Sequence, residues 1–509
     1  MSRLRPALVG AWIPDALIFF GSLGLYTRTL APTFYLWDSA ELAAGAWTLG
    51  IVHPTGYPLY LLLAKGFMLL VPIGDAGYRA NLFSAVCAAV ALAVLRRAIA
   101  RATGAPWCAL GAVAFLGVSF PVWSSAVAAE VYTLHAVFIG LLLWLGLRWR
   151  ATGYRRDFLL GALVLGLSFG NHMSASLLLP AVAFFVWRTV RRRPLPFATW
   201  IQALALSALG PLTYLYLPLR YAAGPALNWV LTTEVDLTTL EGLLWMARGR
   251  MFNVFMFWYG PRELLGEMLG FGQLLWQSLL GVGVVAAALG LWAQARRDGT
   301  LAGTLGLQAL CHSAFFVNYS VMDKNTMFMP VFLVLAFWVG EALTAGVAWL
   351  AGAESGRRAA WLTAPVTVLL VGALAWSTYP RVDLSRYNEP RRFGERVLRD
   401  APPDALIVGF WLNVTPLIYL QSVEGLRPDV EIFDWGTYGL AREDALLATG
   451  VPRRTARYMA RELIRQRVEI ELAAGRTVLA LEDDAVLTET FTLVPRGDIY
   501  TICEPGGCR

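Results

Sequence analysis

The sequence has few charged residues, and this scarcity excludes a soluble enzyme. Only 15% of its 509 residues are Asp, Glu, Lys or Arg, whereas a soluble globular protein averages about 25%. Hydrophobic residues make up 57% of the chain, and the mean hydropathy is +0.55. Since one membrane crossing takes about 20 apolar residues, the chain has room for about a dozen transmembrane helices and one modest extramembrane domain.

Cysteine and several catalytic motifs are also scarce or missing. Of the five cysteines, only Cys503 and Cys508, which enclose EPGG near the last residue, are placed to pair with each other. No CxxC pair with histidine spacing is present, which argues against a structural zinc site. The chain lacks Walker A, GxGxxG, GxSxG and HExxH motifs, which disfavours ATP-driven transport, dinucleotide redox chemistry and zinc proteolysis.

Basic residues lie in short loops between apolar runs, so they indicate membrane orientation and not nucleic-acid binding. The 42 Lys and Arg residues exceed the 35 Asp and Glu residues by 7. The arginine-rich loops all fall on one side of the predicted crossings, which the positive-inside rule makes cytoplasmic. The N-terminus is then cytoplasmic, and the chain after about residue 380 is extracytoplasmic, in a cell (inner) membrane.

Eleven transmembrane helices are predicted, two of them in the run 157–187, broken at Gly170 to His172. The other runs are 13–32, 80–96, 107–123, 131–147, 198–219, 268–294, 301–321, 327–350 and 361–379. The run 57–72 is too short to cross and is interrupted by Lys65, so we expect a helix that lies in the membrane interface.

The predicted fold is therefore an α-helical polytopic membrane protein with a small C-terminal α/β domain. Residues 1–379 form the transmembrane domain and residues 380–509 the extracytoplasmic domain, with strands predicted at ALIVGF, DVEIF, RTVLAL and FTLV. Helices are predicted at 389–400 and 454–474. Three segments are expected outside the membrane: 33–79, 220–263 and 380–509.

The densest group of chemical side chains follows the first helix. If residues 38–48 are helical, Asp38 and Glu41 share a face and place two carboxylates together, a pair suited to general-base chemistry. The alternative is a capping box, because D-x-x-E is also that signature. His53 precedes Pro-Thr-Gly-Tyr-Pro, a stiff turn that would aim its side chain, although it is also compatible with an ordinary hydrogen-bonded loop histidine.

Other polar candidates lie at the predicted outer ends of helices. Asn171 and His172 sit where two short helices meet, as anion ligands or as a polar kink. Lys65 and Lys324 are the only lysines among 42 basic residues, and a compact ammonium suits a phosphate; snorkelling or chance is the alternative. Arg220 is a third basic candidate, or an interfacial anchor.

Several motifs together resemble glycosyltransferase family 117, a family with a eukaryotic protein O-mannosyltransferase. The resemblance is carried by DSAEL from Asp38, LGIVHPTGYPLY from Leu49, RANLFS from Arg79, AEVYTL from Ala129, GNH from Gly170, NY from Asn318 with Asp323, and GLRPD from Gly425. These motifs span most of the chain.

The resemblance implies a GT-C-type glycosyltransferase, with interfacial jaw helices after the first crossing and a periplasmic active site. It would move a sugar, with mannose as the family's example, from a polyprenyl-phosphate carrier to a hydroxyl of a protein, glycan or lipid acceptor. Asp38 would be the base, with Glu41 beside it. The remaining assignments are donor and phosphate binding by His53, Lys65, Asn171, His172, Arg220 and Lys324, and a substrate pocket with Tyr57, Glu130, Tyr132, Asn318 and Asp323.

Several questions stay open at this point. No metal ligand is assigned, although a divalent cation, magnesium or manganese, is compatible with the acidic pair. The alternative functions are a transporter or flippase of a lipid-linked sugar, and a catalytically inactive scaffold whose C-terminal domain binds partners. The sugar, the acceptor and the oligomeric state do not follow from the sequence.

Overall fold

The protein is built mainly of helices, as the composition requires. The structure, a computed structural model, describes residues 12–351, 356–504 and 507. Its α-helices are Ile13–Thr29, Asp38–Thr48, Pro58–Leu70, Ala76–Thr103, Pro106–Gly117, Phe120–Ala126, Val131–Thr152, Arg155–Asn171, Leu179–Val190, Phe197–Leu212, Tyr216–Ala222, Leu240–Ala247, Pro261–Ser278, Val282–Arg297, Gly299–Val317, Met329–Ala351, Gly356–Val382, Glu389–Asp400, Trp411–Glu424, Trp435–Ala448, Arg453–Ala473 and Ala485–Thr488. Short 3₁₀ helices lie at Met173–Leu178, Thr213–Leu215, Trp229–Thr232 and Arg250–Phe255.

The apolar helices make this a multi-pass membrane protein. Within the described residues, six helices are long and apolar enough to cross a membrane, or eight if each of two bent helix pairs is one span. Three further predicted runs lie in the helices Ile13–Thr29, Arg155–Asn171 and Gly356–Val382, outside that set. The predicted break in the run 157–187 is present, because one helix ends at Asn171 and the 3₁₀ helix Met173–Leu178 follows.

Two predicted crossings are not straight. The helices Pro106–Gly117 and Phe120–Ala126 meet at 70°, and Pro261–Ser278 and Val282–Arg297 meet at 98°. At the second bend Leu280 and Gly281 both have positive φ angles, 52° and 62°, which turn the chain out of the helical direction. The helix Pro58–Leu70 has 13 residues and is too short to span, as the sequence predicted.

The chain divides into two compact units. The first contains residues up to Leu30, Leu82–Thr213 and Phe255–Ser385, and so most of the apolar helices. The second contains Ala31–Asn81, Tyr214–Val254 and the chain from Arg386 onward. The three ranges of the second unit nearly coincide with the three segments predicted to lie outside the membrane. Segments far apart in the sequence therefore fold together.

The second unit contains a five-stranded mixed sheet of order β2-β1-β3-β5-β4. The strands are β1 (Leu406–Gly409), β2 (Glu431–Asp434), β3 (Val478–Ala480), β4 (Thr492–Arg496) and β5 (Ile499–Cys503). β1 pairs in parallel with β2 and β3, whereas β5 is antiparallel to β3 and β4. The helix Arg453–Ala473 buries Ile464 and Val468 in the same core as Leu406 and Val408.

The four strands and two helices predicted in this C-terminal part are confirmed to within a few residues. β5 was missed. Its fully buried residues Ile499 and Ile502 are three apart, which is not the alternation expected of a half-buried strand.

Candidate active site

The helix Asp38–Thr48 places two buried carboxylates in its first turn. Asp38 is 7% exposed and Glu41 is 1% exposed, and negative charge at this end is favoured by the helix dipole. The residue at the N-cap is Trp37, with φ of 63° and no side-chain capping bond. The capping-box alternative is therefore not formed, and both carboxylates are available for other contacts.

Glu41 is bound to His53 by two hydrogen bonds. One carboxylate oxygen accepts the backbone N–H of His53 at 2.6 Å, and the other lies 2.8 Å from Nδ1 of its ring. Because a carboxylate oxygen accepts hydrogen bonds, the Nδ1–H of His53 donates to Glu41. Glu41 thus fixes the position of both the backbone and the ring of His53.

The other nitrogen of His53 faces Tyr57 and Asp38. The hydroxyl of Tyr57 lies 2.8 Å from Nε2, and Oδ2 of Asp38 lies 3.8 Å from the same atom. The predicted turn makes this possible, since Gly56 donates to the carbonyl of His53 at 2.8 Å and has a φ of 81°. Asp38, Glu41, His53 and Tyr57 therefore form one connected cluster.

Aromatic rings surround this cluster. The ring centroids of Trp411 and Phe252 lie 5.9 and 6.2 Å from that of His53, and the Trp37 and Trp411 rings are 6.3 Å apart. The indole of Trp411 also donates to Glu41 at 3.3 Å. Trp411 follows β1, so the C-terminal α/β part contributes directly to the acidic cluster. Sequence analysis missed this contribution.

The edge of the sheet where β1, β2 and β3 end carries further acids. Glu482 accepts hydrogen bonds from the backbone of Phe410 at 2.5 Å, from Asn413 at 2.8 Å and from Trp435 at 2.9 Å. Polar residues at the carboxyl ends of parallel strands commonly line ligand sites. The signal was present in the sequence, because Asp434 and Glu482 come directly at the ends of predicted strands.

Asp434 is the most perturbed of these acids. Burial raises its pKa to about 7, hydrogen bonds from Thr437 oppose the rise, and the neighbouring Glu41 carboxylate adds to it. Its Oδ1 accepts from the backbone of Thr437 at 3.1 Å, while its Oδ2 has no hydrogen-bond partner among the described residues. The Asp434 carboxyl therefore exchanges its proton near neutral pH, beside the Glu41 side chain.

Two basic candidates lie in the same unit as this cluster. The ammonium of Lys65 donates to the carbonyl of Trp47 at 2.5 Å and lies 4.2 Å from the centre of its ring; burial lowers its pKa. Arg220 donates to the carbonyls of Leu49 at 2.6 Å and Thr48 at 3.3 Å, at the C-terminal end of the helix that begins with Asp38.

The remaining candidates lie in the first unit. Asn171 donates to the carbonyl of Val131 at 3.2 Å, and Nδ1 of His172 lies 2.8 Å from the hydroxyl of Ser174. The Tyr132 ring is 5.5 Å from that of His172, and the backbone of Glu130 donates to Ser84 at 2.9 Å. Sequence analysis missed His135, which is buried with its ring 6.3 Å from His172.

Lys324 belongs to a second group in the first unit. Its ammonium forms an ion pair with Glu267 at 2.5 Å and lies 3.4 Å from the hydroxyl of Tyr259. The Asn318 side chain donates to the carbonyl of Ala314 in its own helix at 2.9 Å. Asp323 accepts from Thr326 through its backbone carbonyl at 3.0 Å.

The acidic side chains and the cysteines bear on the predicted metal and disulfide chemistry. No group of three or more His, Cys, Asp or Glu side chains has the geometry of a metal site in the described part of the chain. Cys503 is disulfide-bonded, and Cys87, Cys108 and Cys311 are free. Cys508 lies outside the described residues, so its pairing with Cys503 stays a prediction.

The fold is similar to that of ArnT in two crystal structures. The chain matches the crystal structure of ArnT from Cupriavidus metallidurans bound to undecaprenyl phosphate with a TM-score of 0.54 and 15% identity, over 96% of this chain and 97% of that one. The same protein in the apo state matches with a TM-score of 0.53 and 16% identity, over 97% and 98%.

The sequence comparisons confirm the predicted family resemblance. Residues 38–194 match the family model of the protein O-mannosyl-transferase TMEM260 N-terminal domain. The chain is 30% identical over 464 residues to the protein O-mannosyl-transferase TMEM260 of Mus musculus, which covers 84% of this chain and 63% of that protein. A Dictyostelium discoideum protein of the same description is 24% identical over 132 residues, 26% of this chain and 16% of its own length. The chain thus spans less than two thirds of the mouse relative.

Proposed function

We propose that this protein is a membrane glycosyltransferase that moves a sugar from a polyprenyl-phosphate carrier to an acceptor hydroxyl on the extracytoplasmic side. The observation that carries the proposal is the buried cluster of Asp38, Glu41, His53 and Tyr57, which begins at the first residue matched by the family model. The names of the similar proteins favour mannose as the sugar and a protein as the acceptor. The ArnT structure, with its bound undecaprenyl phosphate, favours a polyprenyl carrier.

Asp38 is proposed as the catalytic base. The acceptor hydroxyl gives its proton to the Asp38 carboxylate while its oxygen bonds to the anomeric carbon of the sugar. The bond between that carbon and the carrier's phosphate oxygen breaks, and the polyprenyl phosphate leaves with the electron pair. Inversion at the anomeric carbon is an expectation that comes from the GT-C resemblance.

Glu41 and His53 are proposed as positioning residues. His53 is held by two bonds to Glu41, and its Nε2 lies 3.8 Å from Asp38. The imidazole held in this place orients the Asp38 carboxylate beside it. Such fixed geometry supports proton transfer, because a base acts only within hydrogen-bond reach of the proton that it removes.

Negative charge on the leaving phosphate is stabilised by hydrogen-bond donors, whether cationic or neutral. The proposed donors are His53, Lys65, Asn171, His172, Arg220 and Lys324. Lys65 and Arg220 are favoured because they belong to the same unit as Asp38. Lys324 is less favoured, because Glu267 already neutralises it. Tyr57, Glu130, Tyr132, Asn318 and Asp323 are proposed to line the substrate pocket.

The test is sugar transfer by purified protein in liposomes. A polyprenyl phosphate carrying mannose is supplied with a serine- and threonine-containing peptide, and the peptide mass is measured. We expect addition of one hexose per modified hydroxyl, with release of polyprenyl phosphate. Movement of the intact lipid-linked sugar between leaflets, without transfer to peptide, glycan or lipid acceptors, would instead support the flippase alternative.

A further inference from the structure

A cavity lined by five arginines lies at one end of the helices of the first unit. It has a volume of about 480 Å³, and its basic residues are Arg150, Arg188, Arg192, Arg193 and Arg297. They come from the C-terminal ends of the helices Val131–Thr152 and Val282–Arg297, and from the C-terminal end of Leu179–Val190 and the loop after it. This is the end that the positive-inside rule assigns to the cytoplasm.

Three of these arginines have no acidic partner among the described residues. Arg150 forms an ion pair with Asp298, and Arg297 pairs with Glu341. Arg193 donates to the carbonyl of Ala151 at 3.1 Å, and Arg188 lies 3.4 Å from the hydroxyl of Thr300. Arg188, Arg192 and Arg193 thus leave the cavity with excess positive charge, which an anion would compensate.

The first unit also contains an apolar cavity of about 430 Å³. Both are lined by the helices Val131–Thr152, Leu179–Val190 and Gly299–Val317. The guanidinium of Arg150 lies 5.5 Å from the centre of the Phe185 ring, and Phe185 lines the apolar cavity. Positive charge and an apolar space therefore meet at this arginine and ring.

The apolar cavity opens to the surface of the unit. Leu204 and Leu179, which line it, are 74% and 43% exposed, and Trp200 is 39% exposed. There is also open space beside Gly161, which lines the cavity, because a Cβ atom added there would meet nothing within 4 Å. Exposed apolar side chains on a membrane protein face acyl chains, so a lipid chain can enter from the side.

We propose that the two cavities together bind an anionic phospholipid, with its phosphate among Arg188, Arg192 and Arg193 and one acyl chain in the apolar cavity. Arginine suits a phosphate because its planar fork donates two parallel hydrogen bonds. Basic pockets between transmembrane helices on the cytoplasmic side are known anionic-headgroup sites. Soluble phosphate would use the arginines alone and would leave the apolar cavity unexplained.

The test measures lipid binding to the full-length protein in a neutral detergent by native mass spectrometry. Phosphatidylglycerol, phosphatidylcholine and inorganic phosphate are titrated separately. We expect phosphatidylglycerol to bind at least tenfold more tightly than the other two. Arg188→Gln and Arg193→Gln should each raise its Kd about tenfold or more, the effect of losing one charge-assisted hydrogen bond.

Two further variants separate the headgroup from the chain. Arg191→Gln is the matched control, because Arg191 stacks on Trp187, 4.4 Å from its centroid, and does not line the cavity; it should bind like the wild type. Gly161→Leu adds a side chain at a lining position where a Cβ would meet nothing within 4 Å, and it should weaken binding of long-chain but not short-chain phosphatidylglycerol. Equal binding of phosphatidylcholine, equal competition by inorganic phosphate, or equal loss in Arg191→Gln would overturn the proposal. Unchanged long-chain binding in Gly161→Leu would overturn the chain assignment.

Discussion

At the scale of single residues, Glu41 explains how a loop histidine is held beside Asp38. Its two carboxylate oxygens accept hydrogen bonds from the backbone N–H and from the ring of His53. A side-chain amide has only one oxygen and so could not accept both bonds. Glu41 is also 1% exposed, which makes an unmatched donor there costly.

Glu41→Gln should therefore lower both stability and kcat. The amide keeps one acceptor and turns a donor towards His53, at a cost of about 1–3 kcal/mol in unfolding free energy. The fall in kcat should be smaller than for Asp38→Asn. Trp411→Phe, which removes the bond at 3.3 Å and keeps a smaller aromatic ring, should be milder still. Thermal unfolding and transfer kinetics check this. If Glu41→Gln instead loses as much kcat as Asp38→Asn and responds to added magnesium or manganese, that result would show that Glu41 binds a metal ion.

Asp434→Asn should change how stability depends on pH. The folded protein keeps the Asp434 proton up to a pKa of about 7, whereas the unfolded chain releases it near the ordinary 3.8. Between pH 3.8 and about pH 7, the unfolding free energy of the wild type therefore falls relative to that of the variant as the pH rises. Above about pH 7 the difference in unfolding free energy no longer changes. Midpoints of thermal unfolding from about pH 5 to about pH 8 measure this difference.

The matched control is Asp484→Asn. Asp484 also caps a helix, accepting from the backbone of Val486 at 2.8 Å, but it is partly exposed. Asp484→Asn thus shows the effect of changing a helix-capping carboxyl that is not buried. A flat difference for Asp434→Asn over this pH range would contradict the assignment of a buried carboxyl with a raised pKa.

Sequence reasoning found the acids of the cluster but not the residues that complete it. Asp38, Glu41, His53 and Tyr57 lie within 20 positions, so local spacing and turn chemistry bring them together. Trp411 and Asp434 are more than 350 positions away, and only the folded sheet brings them to Glu41. Periodicity carries no information on such distant contacts.

At the scale of elements, the helix Asp38–Thr48 is fixed at both ends. The helix begins directly after Trp37, whose φ is positive. At its other end, Arg220 donates hydrogen bonds to two backbone carbonyls. A cation at a helix C-terminus is favoured by the dipole and by the free carbonyl groups there. The sequence predicted the helix from its acidic start but gave no sign of the arginine at its end.

Arg220→Gln should lower the unfolding free energy by about 1–3 kcal/mol, since two charge-assisted bonds are weakened at a partly exposed site. Because the helix carries Asp38, kcat should fall with it, and the donor KM should rise because Arg220 is also a proposed donor to the carrier phosphate. Arg262→Gln, at an exposed arginine of the first unit, is the control. A large rise in donor KM with unchanged stability would show that Arg220 acts mainly on the carrier phosphate.

At the scale of the whole molecule, three separate segments of sequence build the unit that contains the acidic cluster. Charge alternation predicted these segments because loop charges follow membrane sidedness. The two sharp bends were not predictable from hydropathy, because a bent pair of apolar helices has the same composition as a straight one.

Sidedness itself is tested by labelling single added cysteines in intact cells with a thiol reagent that cannot cross membranes. Ile73→Cys, at an exposed position after the helix Pro58–Leu70, should react from outside. Thr152→Cys, at the exposed arginine-rich end, should react only after the membrane is opened. The wild type, whose Cys87, Cys108 and Cys311 are free, gives the background. The reverse pattern would place the acidic cluster in the cytoplasm and refute the proposed orientation.

The proposed role of Asp38 as base is tested most directly by the kcat of Asp38→Asn in the liposome transfer assay. The change keeps the side-chain volume and removes the basic oxygen, so kcat should fall by about 10²–10⁴-fold, the usual contribution of a general base, with an unchanged midpoint of thermal unfolding. Asp236→Asn, at an exposed turn in the same unit, should transfer sugar like the wild type. Near-wild-type turnover by a folded Asp38→Asn protein would contradict the mechanism.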